Sequence, residues 1–282
     1  MIQNKFFYKL HNIIYSIIYN MIIGICGLGF VGSAIQYALN HYNIDCITYD
    51  LYKNIGDIET LLNTDIIFLC LPTLYNDTIH KFDISEIEKT LRYFNDNLYE
   101  GIILIKSTLE PHTTNYLSDK YKNLSLIHNP EFLSAKTAQN DFLNQKHIIL
   151  GLSNNFSKNI DIVVDFYKKY FCDNISIVNS IESESVKLFC NSFYASKIQI
   201  FTEFYLLCQK LNIDYNKVRN LMVNNGWINK MHTDIPGSDG NISYGGLCFP
   251  KDTNALNSFM EKTNSPNQVL NSVINERNNM RR

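Results

Sequence analysis

Residues able to do chemistry concentrate near the end of the chain, in Tyr244-Gly245-Gly246-Leu247-Cys248-Phe249-Pro250-Lys251-Asp252. One thiol stands there between a glycine pair and a Pro-Lys-Asp step. Glycines let backbone approach a ligand closely, and a proline just after the cysteine suits the first turn of a helix. A thiol at a helix N-terminus beside a lysine has its thiolate favoured by dipole and charge, which is what a nucleophile needs. A lone cysteine is more often a small buried hydrophobe. Cys26, Cys46, Cys70, Cys172, Cys190 and Cys208 fit that description, lying in strands or amphipathic runs, whereas Cys248 sits in a glycine-flanked loop opening a helix. Lys187 and Asn191 are four apart, so both project from one face of a helix. Set against Cys248 they would supply a cation and an amide to a reacting oxygen, although an isolated helical lysine is usually a solvated one. His128, at a strand end, reads as a structural hydrogen-bonding residue. No metal site is expected, because no His-Glu-x-x-His or comparable ligand spacing occurs.

A second concentration lies at the other end. From Met21 the sequence runs Met-Ile-Ile-Gly-Ile-Cys, a short apolar strand, then Gly27-Leu28-Gly29-Phe30-Val31-Gly32, then a helical run over residues 33–41. A further strand over 45–49 ends at Asp50, at about the spacing expected for an acid that grips ribose hydroxyls. The first two glycines allow a tight turn and the close passage of a pyrophosphate. The third lets the helix pack on the strand, and the helix N-terminus faces the phosphates. A glycine triplet alone is a weak signal; strand, triplet, helix, strand and terminal acid in that order form a dinucleotide fingerprint. A carboxylate at position 50 repels a 2′-phosphate, which points to NAD rather than NADP as cofactor.

Elements must carry these groups to one another. Residues 65–71, 101–106, 124–128, 147–151 and 175–178 read as buried strands and 84–94 as a helix. This alternation implies an α/β fold with a Rossmann-type, doubly wound parallel sheet whose ligands sit at the carboxyl ends of the strands. Pro72-Thr73, Ser107-Thr108 and Asn129-Pro130-Glu131-Phe132 fall at such ends. The pattern changes near Ser180. Residues 181–211 carry no proline or glycine and show apolar residues at helical spacing, one long helix. Shorter helices over 215–223 and 253–262, and a last one from 267, complete an all-helical second part. The expected organisation is therefore an extension over 1–20, a dinucleotide domain over 21–180 and a helical domain over 181–282.

Composition narrows the class. At 282 residues the chain can hold two domains. Its net charge of −2, with 18% charged residues, indicates no electrostatic surface for nucleic acid. No run is long and apolar enough to span a bilayer. Seven cysteines without a Cys-x-x-Cys pair read as reduced thiols of a cytoplasmic compartment. Lys5 and Lys9 before an apolar run imitate a signal peptide, but the run is short and no small-residue cleavage site follows. A loose extension, or a translation start at Met21, is expected there.

Taken together these segments resemble the UDP-glucose/GDP-mannose dehydrogenase family. The matching stretches are the 27–32 turn, Cys70-Leu71-Pro72-Thr73, Lys106-Ser107-Thr108, Asn129 to Leu133, Glu184-Ser185-Val186-Lys187-Leu188-Phe189-Cys190-Asn191, and the 245–252 loop, in family order from Met21 to about Asn275. The resemblance implies four-electron oxidation of a sugar C6 alcohol to a carboxylate with NAD, the aldehyde being trapped by Cys248 as a thiohemiacetal that goes on to a thioester. It implies that Lys187 stabilises an oxyanion, that Asn191 and Asp252 position water and polarise the oxygen, and that Thr108 and Glu131 complete the proton network. Gly27, Gly29, Phe30, Val31, Gly32, Asp50, Pro72, Thr73, Ser107, Thr108 and Lys251 would hold the cofactor. Phe132, Leu133, Lys187, Asn191, Tyr244 and Gly245 would hold a nucleotide-sugar substrate. A homodimer through the long helix is implied as well.

The chain also departs from the family pattern. Members usually continue into a third, nucleotide-binding α/β domain, whereas this sequence stops at Arg282, so a short form without that domain is expected. The segment between Asp50 and Asp65 is shorter than usual. A carboxylate normally lies where Ala135 stands, and the serine usual before the cysteine is Leu247. An arginine often found upstream in the loop has its nearest counterpart in His232. Two other readings stay open: a β-hydroxyacid or 6-phosphogluconate type dehydrogenase, which makes one hydride transfer and needs no thiol, and a family remnant that binds NAD without turnover.

Overall fold

The computed structural model describes residues 21–281, so the extension expected over 1–20 lies outside the described residues. Two compact units emerge, one of residues up to Thr73 with Ile84–Lys187, the other of Leu74–Asp83 with residues from Leu188 onward. Among the described residues no helix is long and apolar enough to cross a membrane.

The first unit is built on a seven-stranded sheet. Its strands are β1 (Ile23–Cys26), β2 (Cys46–Tyr49), β3 (Ile66–Leu69), β4 (Ile102–Ile105), β5 (Ser125–His128), β6 (Ile148–Leu152) and β7 (Ile175–Asn179), in the order β2-β1-β3-β4-β5-β6-β7. Around it stand α1 (Phe30–His41), α2 (Ser85–Asp96), α3 (Thr113–Lys120), α4 (Ala138–Leu143) and α5 (Asp161–Tyr170). Side chains alternate across a pleated strand, and both faces here are covered. Ile66, Phe68, Ile102 and Leu104 pack with Ile35 and Leu39 of α1, Phe142 of α4 and Phe166 of α5. Ile67, Leu69, Ile103 and Ile105 pack on the other face with Ile87, Leu91 and Phe94 of α2 and Leu117 of α3. That double burial is why the strands read as unbroken apolar runs.

Two features refine the expected parallel sheet. β5 and β6 pair antiparallel, so β6, with β7 parallel to it, runs against the other strands. An antiparallel neighbour needs no crossover helix to bring the chain back to the starting end, and the segment carrying α4 leads directly from β5 into β6. At the opposite edge β2 is the outermost strand. The short stretch after it holds a bridge between Asp50 and Ile55 and a 3-10 helix over Ile58–Asn63, with no length left for another strand and crossover. The strand order therefore reverses between β1 and β3, the switch point at which such sheets bind ligands.

The long helix α6 spans Ser180–Leu211, and the division between the compact units falls inside it, after Lys187. In the second unit follow α7 (Tyr215–Asn224), α8 (Phe249–Lys262) and α9 (Gln268–Met280). The Asp214 carboxylate caps α7 by accepting from the N–H groups of Asn216 (2.8 Å) and Lys217 (3.3 Å), the usual way to satisfy the first donors of a helix. α8 opens at Phe249, a turn before the expected position 253, because Pro250 supplies helical φ without needing a hydrogen-bonded N–H. An unforeseen two-stranded hairpin, Tyr75–Asn76 with Lys81–Phe82, belongs to this unit.

Glu184, in the first turns of α6, is wholly buried and accepts from the N–H (2.7 Å) and hydroxyl (2.6 Å) of Thr114 in the opening turn of α3. Burial pushes its carboxyl up from 4.5 to about 7, against the pull of those hydrogen bonds. An acid whose folded-state pKa exceeds its unfolded value gives its full contribution to stability at low pH and loses it as pH rises through the higher value. The thermal midpoint of Glu184→Gln should accordingly gain on wild type as pH is raised from 5 to 8. A midpoint difference that shrinks or stays flat over that range would contradict the assignment.

Candidate active site

At the carboxyl end of β1 the chain must turn at once into α1, and each glycine of that turn has a separate steric reason. Gly27 has φ +94°, and a Cβ there would lie 2.5 Å from the Cys70 carbonyl oxygen. At Gly32 a Cβ would lie 1.9 Å from the Gly27 carbonyl oxygen, so a side chain would push α1 off the turn. Gly29, the N-cap of α1, has φ −68° and no atom within 4 Å of the place its Cβ would take. That open space in front of a helix N-terminus fits a pyrophosphate. The crevice continues as a cavity of about 470 Å³ lined by Gly27, Gly29, Asp50, Tyr52, Pro72 and Tyr93, among others. Asp50 is 9% exposed and accepts from the Leu28 N–H (2.7 Å) and the Lys53 N–H (2.9 Å). Lys53 in turn donates its ammonium to the Leu28 carbonyl (2.5 Å). The acid that would face the ribose is thus fixed to the turn that would face the phosphates.

The nucleotide side continues at the ends of β3, β4 and β5. The Thr73 hydroxyl donates to the Thr108 carbonyl (2.8 Å) and the Ser107 hydroxyl to the Leu71 carbonyl (2.6 Å), which ties the two loops together. Lys106 is buried and donates to Asn129 Oδ1 (3.0 Å) and the Pro130 carbonyl (3.4 Å). Burial pulls its ammonium down to about 8. Asn129 also donates to the Ile149 carbonyl (2.8 Å) and accepts from the Tyr167 hydroxyl. This anchoring presents Glu131, whose carbonyl (2.5 Å) and Oε1 (3.2 Å) both accept from the ammonium of Lys187. The Leu133 N–H closes on Glu131 Oε2 (2.6 Å), and the Lys187 ammonium lies 5.2 Å from the centre of the Phe132 ring. Lys187 is therefore a buried, paired cation, not a solvated one. Removing one partner of such a pair leaves an uncompensated charge and destabilises by about 3–5 kcal/mol. His128 is structural, as its position suggested: its Nδ1 lies 2.8 Å from the Ser183 hydroxyl, and burial pulls its pKa down to about 3.

In the second unit the thiol-bearing loop meets α8. Cys248 is exposed and is the N-cap residue of α8, its carbonyl accepting from the Asp252 N–H (3.0 Å). Burial pushes Cys26 up to about 12 and Cys70 further, which keeps both protonated. Asp252 has no exposed surface. Its Oδ2 accepts from Asn191 (2.6 Å) and its Oδ1 from Lys251 (2.6 Å). Lys251, expected on the cofactor, thus spends its ammonium on a neighbouring carboxylate. The Tyr244 ring is closed off among Ala195 and Val273, and its carbonyl accepts from Arg277 (3.4 Å). Gly245 leaves room for Arg281, whose Nη1 would lie 1.9 Å from a Cβ there. Gly246 turns at φ +75° with open space beside it. His232 stacks its ring 4.9 Å from that of Tyr194 and 5.6 Å from that of Phe249.

Within the first unit the structure brings together Thr73 with Thr108, and Lys187 with Glu131, Phe132 and Leu133. Within the second it brings together Asn191, Lys251 and Asp252 at the helix that Cys248 opens. Two participants escaped sequence reading: Lys53 and the hairpin residue Phe82, over whose ring the Lys251 ammonium lies at 4.5 Å. Lys106 was read as the first residue of the 106–108 stretch but given no role, and Lys53 stands three residues past the ribose acid. Phe82 carried no signal, being an aromatic residue in a polar stretch.

Residues 52–171 match the NAD binding domain of the UDP-glucose/GDP-mannose dehydrogenase family, and residues 181–279 match its central domain. The first match begins beyond the glycine turn, so the case for that turn rests on its geometry. A UDP-glucose 6-dehydrogenase of Rickettsia bellii is 31% identical over 224 residues, 77% of this chain and 50% of that protein. The chain spans about half the length of the curated relatives it matches. Among solved structures, a UDP-glucose dehydrogenase from the hyperthermophilic archaeon Pyrobaculum islandicum is similar with a TM-score of 0.78 at 21% identity, over 90% of this chain and 67% of its own. A 3-hydroxyisobutyrate dehydrogenase of Mycobacterium tuberculosis is similar with a TM-score of 0.69 at 13% identity, over 90% of this chain and 91% of its own. At such identities the two likenesses speak to the fold alone.

The glycine geometry separates folding from binding. Gly29→Ala should fold with an unchanged thermal midpoint yet weaken NAD binding by at least about tenfold, since the added methyl enters the space a pyrophosphate needs. Gly32→Ala should lower the midpoint as well. Calorimetric titration with NAD and a thermal scan of each variant check both, and an unimpaired Gly29→Ala affinity would overturn the phosphate assignment.

Proposed function

The chain belongs to the UDP-glucose/GDP-mannose dehydrogenase family, and on that premise we propose that it oxidises the C6 alcohol of a nucleotide sugar to a carboxylate with Cys248 as covalent nucleophile. The observation that carries this reading is the exposed thiol at the N-terminus of α8, whose first turn holds Asp252 buried between Asn191 of α6 and the half-buried Lys251. A helix N-terminus favours the thiolate, and neutral-pH cysteine otherwise supplies only a few per cent of it.

NAD, when bound, would accept hydride at each of the two oxidations, and Gly27, Gly29, Phe30, Val31, Gly32, Asp50, Pro72, Thr73, Ser107 and Thr108 would hold it. The chain's own part starts at the alcohol. The Lys187–Glu131 pair receives the hydroxyl proton and steadies the negative oxygen, a task suited to a cation held beside a carboxylate. The Cys248 sulfur then forms a bond to the aldehyde carbon, and the carbonyl oxygen takes up a proton to give a thiohemiacetal. The second oxidation leaves a thioester. Asn191 and Asp252 orient the water that attacks it, Thr108 and Glu131 pass on the proton, and the sulfur leaves as thiolate. A covalent adduct retains the aldehyde while spent cofactor is exchanged. Phe132, Leu133, Tyr244 and Gly245 are proposed to shape the sugar-nucleotide site, Tyr244 through its backbone. A homodimer through α6 is part of the same reading, supported by an exposed stripe of Phe189, Phe193, Ile200, Phe204, Leu207 and Leu211 on that helix.

The second reading is an oxidation of the β-hydroxyacid type. The fold likeness to a 3-hydroxyisobutyrate dehydrogenase runs over nearly the whole of both chains, and a β-hydroxyacid type of oxidation ends after one hydride transfer without a thiol. Stoichiometry separates the two. With UDP-glucose and excess NAD the protein should yield two NADH per sugar consumed, read by absorbance and by mass spectrometry of the product. Cys248→Ser should form no acid. One NADH per sugar, or unchanged turnover by Cys248→Ser, would remove the covalent scheme.

A further inference from the structure

Lys251 and Asp252 are adjacent in the chain, and adjacent side chains on a helix diverge instead of facing each other. In the first turn of α8 the Lys251 ammonium nevertheless lies 2.6 Å from Asp252 Oδ1. The surface that meets this bent lysine is the Phe82 ring, whose centre is 4.5 Å from Nζ. Phe82 is 2% exposed and pairs with Tyr75 across the hairpin. The hairpin is bound along α8 at two further points. The Tyr75 and Ser258 hydroxyl oxygens are 2.7 Å apart, and Lys262 donates to the His80 carbonyl (2.7 Å). Positions 251, 258 and 262 follow one another at seven and four residues, the spacing of a single helix face. The aromatic plate is therefore held in register with the first turn of the helix that Cys248 opens.

We propose that Phe82 is a positioning residue for the oxidation, acting through Lys251: its ring face keeps the ammonium turned onto Asp252 and so fixes that carboxylate in the orientation Asn191 binds. An ammonium over an aromatic face is attracted by the ring quadrupole. Without the ring, a flexible four-carbon stem is free to swing toward water, and Asp252 Oδ1 loses its cation in a place without solvent. Phe82 touches neither substrate nor cofactor in this scheme, so its loss acts on turnover and not on binding. The inference rests on the reading of Asp252 and Asn191 as part of the thiol chemistry; the hold of the ring on the lysine does not.

The test uses the full chain in three forms: wild type, Phe82→Leu, and wild type with a ring-fluorinated phenylalanine at position 82, which keeps the volume but weakens the negative face. In protein labelled with ¹³C-lysine, the Lys251 ε-methylene protons, assigned through Lys251→Arg, should be shifted upfield by the ring and return to the ordinary position in Phe82→Leu. With UDP-glucose, kcat should fall by about tenfold in Phe82→Leu, between the exposed and the desolvated range of a cation–π contact, with KM changed by less than about twofold. The fluorinated protein should fall between the two with the thermal midpoint of wild type, which mere packing would not produce. An unshifted Lys251 resonance in wild type, or fluorinated protein turning over like wild type, overturns the proposal. Absence of NADH from wild type would defeat the proposed function instead, and the lysine resonance would still decide whether Phe82 holds Lys251.

Discussion

A carboxylate removed entirely from water must be compensated on each oxygen, and Asp252 is the place where this fold meets that demand. Desolvating an ion costs several kcal/mol even after relaxation, so a cation on Oδ1 and an amide on Oδ2 are conditions for the residue to be there at all. Those conditions propagate. The amide comes from the long helix α6, which fixes how α8 lies against it. The cation comes from the neighbouring residue and needs an aromatic wall to bend against, which brings in the hairpin around Phe82. The Asp252 N–H closes the first turn on the Cys248 carbonyl, so the thiol stands at a helix end whose geometry the same residue secures.

The sheet unit obeys a parallel constraint with opposite charge. Two lysines are buried there, Lys106 just past the end of β4 and Lys187 on α6, and Glu131 lies between them in sequence. Lys106 reaches only neutral oxygens, those of Asn129 and Pro130, and burial weakens its hold on a proton. Lys187 pairs with the carboxylate of Glu131. The glycine turn ahead of α1 adds positive backbone dipoles. Anionic groups, whether phosphates or a developing oxyanion, are the chemistry such a surroundings favours.

Much of this was legible in one dimension. The strands declared themselves because both faces of the sheet are covered, which makes each one a continuous apolar run, and α6 because thirty-odd residues without proline or glycine at helical spacing have few other solutions. The turn at residues 27–32 was readable because the positive φ at Gly27 and the close approach of Gly32 to the Gly27 carbonyl are local properties of the backbone, whereas the contact of Gly27 with Cys70 is not. The direction of β6 was not: an apolar strand carries no mark of which way it runs, and only its partner decides. The hairpin was also invisible, since two residues per strand are too few to show a period and its stability comes from α8.

Residue types and their spacing determined by themselves that the chain pairs a dinucleotide turn with a single placed thiol, because both signals depend on covalent geometry within a few residues. Tertiary structure alone decided which charge answers which. Lys187 belongs to Glu131, Lys251 to Asp252 and Phe82, and Lys53 to the turn that holds Asp50. A lysine stem reaches in any direction its rotamers permit, and the energy of its ammonium is set by what lies within a few ångströms in space, a distance that separation along the chain does not encode.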